Sequence, residues 1–195
     1  MANPYLSYIQ EQFWPRAAGR EVWMIVDGAR DRRVFGTLLD SYLNYSCLYH
    51  GELAPELEIA APYLVQLEYD DRYSRQLIER AWGQSWGVFL KCNGSMESIR
   101  RHLRKFLSVR DPKGEIMLFR YYDPRVLRVY LPTCRTDELQ TVFGPIDCFW
   151  IEDENPEIML EFRLDREKLL RKELPLFPPD ASSTVPASSI DAHPA

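Results

Sequence analysis

One short stretch of this sequence matches the pattern of a serine nucleophile. Residues 83–87 read GQSWG, which fits the G-x-S-x-G elbow of hydrolases with Ser85 as the nucleophile. In such an elbow a strand precedes the serine and a helix follows, so that the hydroxyl is exposed at the turn. Here a helical pattern comes first and a strand-like run follows. The reversed order favours a tight helix-to-strand turn, with a small hydrolase as the alternative.

The turn at residues 27–31 could also carry chemistry. It reads DGARD after a strand-like run, as a nucleotide-binding turn would, but it lacks the glycines of G-x-G-x-x-G and the lysine of a P-loop. We expect a strand-to-helix turn in which Asp31 caps the next helix, and a nucleotide-binding enzyme stays part of the alternative. The four cysteines and three histidines show no metal-ligand spacing. We therefore predict no catalytic residue, no metal and no cofactor.

Arg120 lies in an apolar run, within the segment LFRYYDPRVLRVYLPTC of residues 118–134. Alternation in a predicted strand at 115–122 puts apolar side chains on both faces, so this arginine should be at least partly buried. A buried guanidinium requires a carboxylate, because an unpaired one costs several kcal/mol. Asp27, at the exit of the strand at 21–29, is the preferred partner. We predict a structural Asp27–Arg120 ion pair at the ends of adjacent strands.

A predicted helix at 95–110 has a strongly basic face. Arg100, Arg101, Arg104 and Lys105 lie opposite its apolar stripe, and residues 95–135 hold ten Lys or Arg against four Asp or Glu, an excess of six. Such a face is most often solvated, but it could also bind an acidic partner surface. A third possibility is a nucleic-acid-binding regulator. The net charge of -5 argues against that possibility, so we predict no nucleic-acid partner.

The composition indicates a folded protein of the cytoplasm. The chain has 195 residues, of which 46% are hydrophobic, enough for a core without disulfide or metal support. The start has no basic region followed by an apolar stretch, so we expect no signal peptide, and no run of about 18 apolar residues predicts a membrane span. Four unevenly spaced cysteines predict reduced thiols.

Strand-like runs alternate with helical patterns, which predicts an α/β layered fold. We expect a mixed sheet with helices packed on it, ending in a C-terminal β-hairpin and a short helix. Residues 1–174 should form a single domain, beginning with a helix capped at Asn3-Pro4, and the Pro- and Ser-rich residues 175–195 should be disordered. Residues 52–69 should start as helix and break at Pro62. The predicted strands are 21–29, 46–51, 86–93, 115–122, 146–153 and 157–165, and the other predicted helices are 31–44, 71–82, 95–110, 124–131 and 136–143.

The chain resembles the type VI secretion effector adaptor and chaperone family, catalogued as domain of unknown function 4123. The resemblance runs from about Val22 to Asp153. Its carriers, in order, are VWMIVDGARD (22–31), APYLVQL (61–67), WGQSWGVFL (82–90), IRRHLRKFLSVRD (99–111), LFRYYDPRVLRVYLPTC (118–134) and FGPIDCFWIED (143–153). The order of these segments along the chain is the specific part of the resemblance.

The resemblance implies a non-enzymatic bacterial protein of the cytoplasm. Family members bind a particular toxic effector, usually encoded nearby, and help to mount it on the spike (VgrG-type) protein of the secretion apparatus. The family motifs bring no catalytic residues. The residues at characteristic family positions are Asp27, Arg30, Trp82, Trp86, Arg120, Tyr122, Asp123 and Arg125.

Aromatic and arginine side chains are enriched at protein interfaces, because they bury area and keep a polar group. From these residues and from the basic helix we predict the partner-binding set. It consists of Arg30, Trp82, Trp86, Arg100, Arg101, Arg104, Tyr121, Tyr122 and Arg125.

Overall fold

The computed structural model describes residues 5–15, 21–111 and 113–177. The helices are α1 (Leu6–Phe13), α2 (Arg32–Leu39), α3 (Pro55–Ala60), α4 (Arg72–Ala81), α5 (Met96–Leu103), α6 (Pro124–Tyr130) and α7 (Thr136–Phe143). The strands are β1 (Val22–Asp27), β2 (Tyr45–Cys47), β3 (Pro62–Leu67), β4 (Gly87–Cys92), β5 (Ser108–Arg110), β6 (Ile116–Leu118), β7 (Ile146–Glu152), β8 (Ile158–Asp165) and β9 (Lys168–Pro175).

Seven strands form the central sheet, in the order β2-β3-β1-β4-β7-β8-β9. The α/β class is confirmed, but every described pairing in this sheet is antiparallel, so the sheet is not mixed. A strand–helix alternation is compatible with either direction, because a helix can also return the chain beside an antiparallel neighbour. No described helix is both long and apolar enough to cross a membrane.

Helices cover the sheet on both faces, which gives three layers. Along β1, Met24 and Val26 join one buried cluster while Trp23 and Ile25 join the other. This alternation follows from the two-residue period of a strand. The first cluster holds the apolar sides of α1, α2 and α4, and the second holds those of α5, α6 and α7. Because both faces of β1 are buried, its sequence is an almost continuous run of apolar residues.

The segment at 52–69 starts as a helix that ends before Pro62, as predicted, but the strand after it was not predicted. The helix α3 ends at Ala60, and the residues from Pro62 onward form β3, which lies between β2 and β1. Pro62 is the first residue of that strand, a position where its missing N–H costs little. Tyr63 and Val65 face one cluster and Leu64 the other, which is a strand pattern. Short apolar runs of this kind do not separate helix from strand by periodicity alone.

The C-terminal hairpin is present, and a strand replaces the short helix predicted after it. The strands β7 and β8 pair as expected, and Lys168–Pro175 then pairs with β8 along its full length as β9. Residues 175–177 of the predicted disordered tail are ordered, because Leu176 is buried and Phe177 contacts Tyr5 at 5.0 Å between ring centroids. Residues 178–195 and the predicted cap at residues 3–4 lie outside the described residues.

Two predicted elements are shorter than expected. The helix predicted at 95–110 ends at Leu103, and a 3-10 turn leads from it into β5. The strand predicted at 115–122 is limited to β6, which pairs with β5 in a separate two-stranded sheet. Both differences have one cause, since β5 and β6 pair with each other and not with the central sheet.

Candidate functional site

Asp27 ends β1 and is fully buried. Its carboxylate accepts hydrogen bonds from the guanidinium of Arg120 and, at 3.0 Å, from the backbone N–H of Ala29. Burial raises the pKa of Asp27, and the hydrogen bond from Arg120 acts against that increase. The predicted Asp27–Arg120 ion pair is therefore present. It brings the end of the central sheet into contact with the loop before α6.

Arg120 does not lie in a strand of the central sheet, which corrects part of the prediction. It follows β6 in a loop, and its side chain keeps 38% of its surface exposed. The pair therefore joins a sheet strand to a loop and not two neighbouring strands. The pattern of apolar residues around Arg120 indicated partial burial correctly, because Tyr121 and Tyr122, which follow it, are buried.

Asp123 and Arg125 extend the ion pair into a cluster of four charges. Asp123 is buried, caps α6 by accepting the backbone N–H of Arg125 at 3.0 Å, and accepts that residue's Nε at 2.9 Å and Nη2 at 2.6 Å. Burial alone would raise the pKa of Asp123, but the hydrogen bonds from Arg125 outweigh burial and lower it. Arg120 Nη2 lies 3.9 Å from Asp123 Oδ2, which connects the two pairs.

The cluster is neutral, with two acidic and two basic side chains that face each other. Its carboxylates accept hydrogen bonds from arginines or backbone N–H groups. Such an arrangement fixes the start of α6 against β1 and leaves no free general base. Both arginines also reach the surface, with Arg125 half-exposed and Arg120 partly exposed, whereas both carboxylates are buried.

The predicted aromatic contacts lie in the interior. Trp82, Trp86, Tyr121 and Tyr122 are each at most 3% exposed. The Trp82 indole donates to the Pro156 carbonyl at 2.8 Å, and the Tyr121 hydroxyl donates to the Leu103 carbonyl at 3.0 Å. These four side chains therefore do not offer a partner the exposed surface that we predicted. Sequence alone does not separate core aromatics from interface aromatics, because both environments favour them.

The G-x-S-x-G stretch forms the turn between α4 and β4, as its sequence context predicted. The Ser85 hydroxyl donates to Glu152 Oε1 at 2.7 Å, and the Gly83 N–H donates to Glu152 Oε2 at 2.7 Å. Gly87 is required by packing, since a Cβ there would lie 1.9 Å from the Ile25 carbonyl oxygen. Burial raises the pKa of Glu152, and these hydrogen bonds counteract it.

The two histidines among the described residues, His50 and His102, each have contacts of their own. His102 is buried, and its Nε2 lies 2.9 Å from the Val142 carbonyl oxygen. His50 lies beside Arg104, with 3.2 Å between its Nδ1 and an Nη1 of that arginine. The Ser85 hydroxyl therefore donates to a carboxylate and not to an imidazole. Within the described ranges, no group of three or more His, Cys, Asp or Glu side chains could hold a metal ion.

Arg104 has a structural contact that its sequence position did not reveal. Its guanidinium donates to the carbonyl oxygens of Cys47, Leu48 and Tyr49, where the chain leaves β2. Burial lowers the pKa of Arg104. These contacts correct its assignment to the partner-binding set, because the guanidinium already satisfies backbone groups of its own chain.

The rest of the basic face is open to solvent. Arg101 is exposed and pairs with Glu97 at 2.9 Å, Lys105 is exposed, and Arg100 is half-buried. An open groove of about 630 Å³ runs along this face, lined by His50, Glu97, Arg100, Arg101, Arg104 and Lys105. Four of these six side chains are Arg or Lys, so the groove suits an acidic ligand surface. Arg30 is exposed elsewhere and donates to the Gln84 carbonyl at 3.1 Å.

An apolar surface that the sequence analysis did not predict lies directly after the basic helix. The β5–β6 hairpin exposes Ile116 (69%), Met117 (51%), Leu118 (56%) and Val109 (39%). We expect Ile116, Met117 and Leu118 from the sequence to lie in a strand covered on both faces, and Val109 to lie in the helix predicted at 95–110. The apolar run at residues 116–118 is visible in the sequence, but such a run does not indicate whether the rest of the chain covers it.

A second cleft, of about 1120 Å³, opens between α2 and α4. Arg33 lies over the Trp86 ring at 5.6 Å, and Arg80 donates to the Thr37 hydroxyl across the cleft at 3.1 Å. Its walls carry both signs of charge, with Asp40 and Glu79 beside the two arginines. No single ligand chemistry follows from this lining.

The described fold defines a three-layer α/β protein with an antiparallel central sheet. The family model for the domain of unknown function DUF4123 matches residues 22–141, more than half of the 195-residue chain. The chain therefore belongs to this family. No curated protein and no solved structure matches the chain significantly. The matched region holds the four-charge cluster, the basic groove and the apolar hairpin.

Proposed function

We propose that this protein is a non-catalytic adaptor and chaperone for a type VI secretion effector. It binds a particular toxin in the bacterial cytoplasm and helps to load it onto the VgrG-type spike protein. Membership of the DUF4123 family supports the proposal together with the resemblance of the motif segments to effector adaptors. The partners are therefore two proteins, the effector and the spike.

The observation that carries the proposal is a basic groove along α5 that is followed along the chain by an exposed apolar hairpin. The exposed part of α5 supplies Arg101, and the chain then passes through Lys105 into a hairpin with exposed Ile116, Met117 and Leu118. Neighbouring exposed apolar side chains mark a binding surface, because water contact with them is unfavourable. A cationic border adds attraction for an acidic protein and raises the rate of encounter.

The contacts of the chemistry-bearing residues support the non-catalytic part of the proposal. Asp27, Arg120, Asp123 and Arg125 bond to one another, and Ser85 bonds to Glu152. A nucleophile requires a base that can take its proton, and a carboxylate without an imidazole is a poor match for serine chemistry. These residues hold turns and helix ends in place, which a binding protein needs in order to present a fixed surface.

Co-expression of the chain with the toxin encoded beside it tests the proposal. We expect a stable complex that copurifies through size exclusion, and we expect deletion of the adaptor to stop delivery of that toxin alone. A toxin that is equally soluble and equally secreted without the chain would contradict the proposal. Turnover of an ester or nucleotide substrate that is lost in Ser85→Ala would instead support an enzyme.

A further inference from the structure

We propose that the outer edge of β6 binds an extended, apolar segment of the partner as an added strand, and that this segment carries acidic residues at its ends. The inference deepens the proposed function and rests on it for the identity of the partner as an effector. Its basis is the geometry of the β5–β6 hairpin, of the other sheet edges and of the surrounding charges.

The backbone of β6 leaves hydrogen-bonding groups directed away from β5. The Phe119 N–H donates to the Leu107 carbonyl at 2.9 Å, and the Asp111 N–H donates to the Glu115 carbonyl at 2.9 Å. Hydrogen-bonded pairs alternate with non-bonded pairs in an antiparallel ladder. The pairs Ser108–Leu118 and Arg110–Ile116 are therefore the non-bonded ones. It follows that the N–H and C=O groups of Leu118 and Ile116 point outward, where an added strand would need them.

Charged side chains protect the outer edge of the central sheet at β9. This edge strand carries Lys168, Arg171 and Lys172, and charged residues on an edge oppose pairing with another chain. Natural sheets use this device to prevent edge-to-edge association. The strand β6 carries no charge within its three residues. The β6 edge therefore lacks the charged side chains that oppose strand addition at β9.

The opposite edge of the central sheet, at β2, is protected in another way. The strand is only three residues long and half-buried. Where the chain leaves it, Arg104 donates to the carbonyl oxygens of Cys47, Leu48 and Tyr49. These carbonyl groups already have donors, so β2 offers a poor template for a further strand.

Both faces of the β5–β6 hairpin offer apolar side chains to an added strand. Val109 and Met117 are opposite each other on one face, and Leu118 and Ile116 lie on the other. All four are exposed among the described residues. An added strand with alternating apolar side chains would cover both sets, because its own side chains also alternate between the faces. Backbone pairing supplies affinity in this recognition mode, and the side chains supply selectivity.

The hairpin has contacts at its base and beside its turn. Phe119, which follows β6, packs edge-to-face on Tyr130 of α6 with 4.7 Å between ring centroids. At the turn, the Asp111 carboxylate accepts the N–H groups of Lys113 and Glu115 at 2.9 and 2.8 Å. A strand template that is already ordered loses little conformational entropy when a partner adds to it.

The charge distribution specifies acidic ends for the added strand. Residues 95–135, which include the hairpin, hold ten basic and four acidic residues, whereas the whole chain has a net charge of -5. The hairpin therefore lies in the basic part of an acidic protein. At the turn, Arg110, Lys113 and Glu115 are exposed and the Asp111 carboxylate is bonded to backbone N–H groups, so the basic excess comes from the residues that flank the hairpin. Acidic flanks on the partner strand complement this surface.

A synthetic peptide provides the direct test. The probe is a short fluorescent peptide in which valine alternates with threonine between aspartate ends, and fluorescence anisotropy measures its dissociation constant with the full chain. We expect saturable binding that is lost when alternate peptide amides are N-methylated, because N-methylation removes the pairing N–H groups. Lysine in place of the aspartates should weaken binding at low salt, and this difference should shrink at high salt.

Two substitutions at Leu118 separate backbone pairing from side-chain contact. In Leu118→Pro the outward N–H is removed, while the ladder with β5 is kept because that N–H does not point toward β5. Leu118→Thr keeps the N–H and a strand-compatible side chain. We expect Leu118→Pro to weaken peptide binding roughly tenfold or more and Leu118→Thr by much less. Circular dichroism and the melting temperature of each variant check that both remain folded.

Three outcomes would overturn the inference. These are no peptide binding by the wild-type chain, equal binding by Leu118→Pro and wild type, and equal binding of the N-methylated peptide. Analytical sedimentation tests whether the edge instead pairs with a second copy of this chain. The wild-type chain would then be a dimer, the Leu118→Pro variant would be a monomer, and added peptide would not dissociate the wild-type dimer.

The cognate effector separates failure of the inference from failure of the proposed function. If the effector binds the Leu118→Pro variant as tightly as it binds wild type, the adaptor function stands and only the proposed strand-addition site is contradicted. An effector that does not bind the wild-type chain contradicts the proposed function, and the peptide measurement still decides the inference.

Discussion

Arg120 donates a hydrogen bond to the carboxylate of Asp27, although the two residues lie 93 positions apart in the chain. The carboxylate is fully buried at the end of β1, and the guanidinium reaches it from a loop that is partly open to solvent. A buried carboxylate requires a partner, because its desolvation is otherwise not compensated. The pair therefore fixes the loop that connects the apolar hairpin to α6.

Removal of the guanidinium alone should destabilise the fold. Arg120→Met leaves Asp27 buried without its cation, and we expect the free energy of unfolding to fall by about 2–3 kcal/mol, less than for a fully buried pair because Arg120 is partly exposed. Urea unfolding measures the loss. The double variant Asp27→Asn/Arg120→Met should recover most of it, since a neutral amide has a smaller desolvation cost. Equal losses in the single and double variants would contradict an ion-pair role.

The stability of Glu152→Gln relative to wild type should depend on pH. The pKa of Glu152 is raised in the folded state above its ordinary 4.5, so the fold binds this proton more tightly than the unfolded chain does. The resulting stabilisation is fully present below pH 4.5 and is lost as the pH rises through the folded-state pKa. We therefore expect the free energy of unfolding of Glu152→Gln to improve relative to wild type from pH 4.5 to 7. Urea midpoints across a pH series measure this difference.

Asp123→Asn is the matched control, with the opposite sign. The pKa of Asp123 is lowered in the folded state from its ordinary 3.8, so its stabilising contribution is present above pH 3.8 and is lost as the pH falls through the folded-state pKa. The penalty of Asp123→Asn should therefore shrink in acid. A pH trend of the same sign in both variants would show that the two carboxyl groups are not in the environments described above.

Substitution of Arg104 should lower the stability of the fold, whereas substitution of Arg101 should affect only partner binding at the surface. Arg104→Gln removes donors to the carbonyl oxygens at the exit of β2, and we expect a loss of about 1–3 kcal/mol in unfolding free energy with faster amide exchange in β2. Arg101→Gln should leave stability unchanged but slow association with the effector at low salt. Stopped-flow association at two salt concentrations measures the second effect. The reverse assignment of the two effects would refute this division.

Gly87→Ala should show that the glycine of the G-x-S-x-G turn is required for packing. The added Cβ would lie 1.9 Å from the Ile25 carbonyl oxygen, so β1 and β4 would have to separate, at a cost of about 1–3 kcal/mol or more. Gly36→Ala is the control, because nothing lies within 4 Å of a Cβ there, and in α2 it should stabilise by about 0.5–1 kcal/mol. Thermal unfolding measures both. A neutral Gly87→Ala would contradict the close approach.

Local patterns were sufficient for many elements of the fold. The pair Asp123-Pro124 is a local signal for the start of α6, because a helix cap depends on residues that are close in sequence. The Asp27–Arg120 pair was also predictable, since a buried charge restricts the choice of partner. Strand direction and the place of β3 in the sheet were not, because they depend on contacts between distant segments.

The candidate surface was predicted in part. The charge pattern identified Arg101 as an exposed basic residue, but a charge pattern does not show that Arg104 turns back to bond its own backbone. Trp82 and Trp86 are buried although their residue type predicts an interface, while the apolar residues of β6 are exposed although their pattern predicts a core strand. Both errors have one cause, since the hydrophobicity of a residue does not specify whether the chain or a partner covers it.

Calorimetric titration of the full chain with the proposed effector, sought among toxins encoded by neighbouring genes, tests the central claim most directly. We predict saturable binding that the interior double variant Asp27→Asn/Arg120→Met retains and that a surface variant with Arg101→Glu and Lys105→Glu weakens. Absence of saturable binding between the two folded proteins would contradict an adaptor function for this chain.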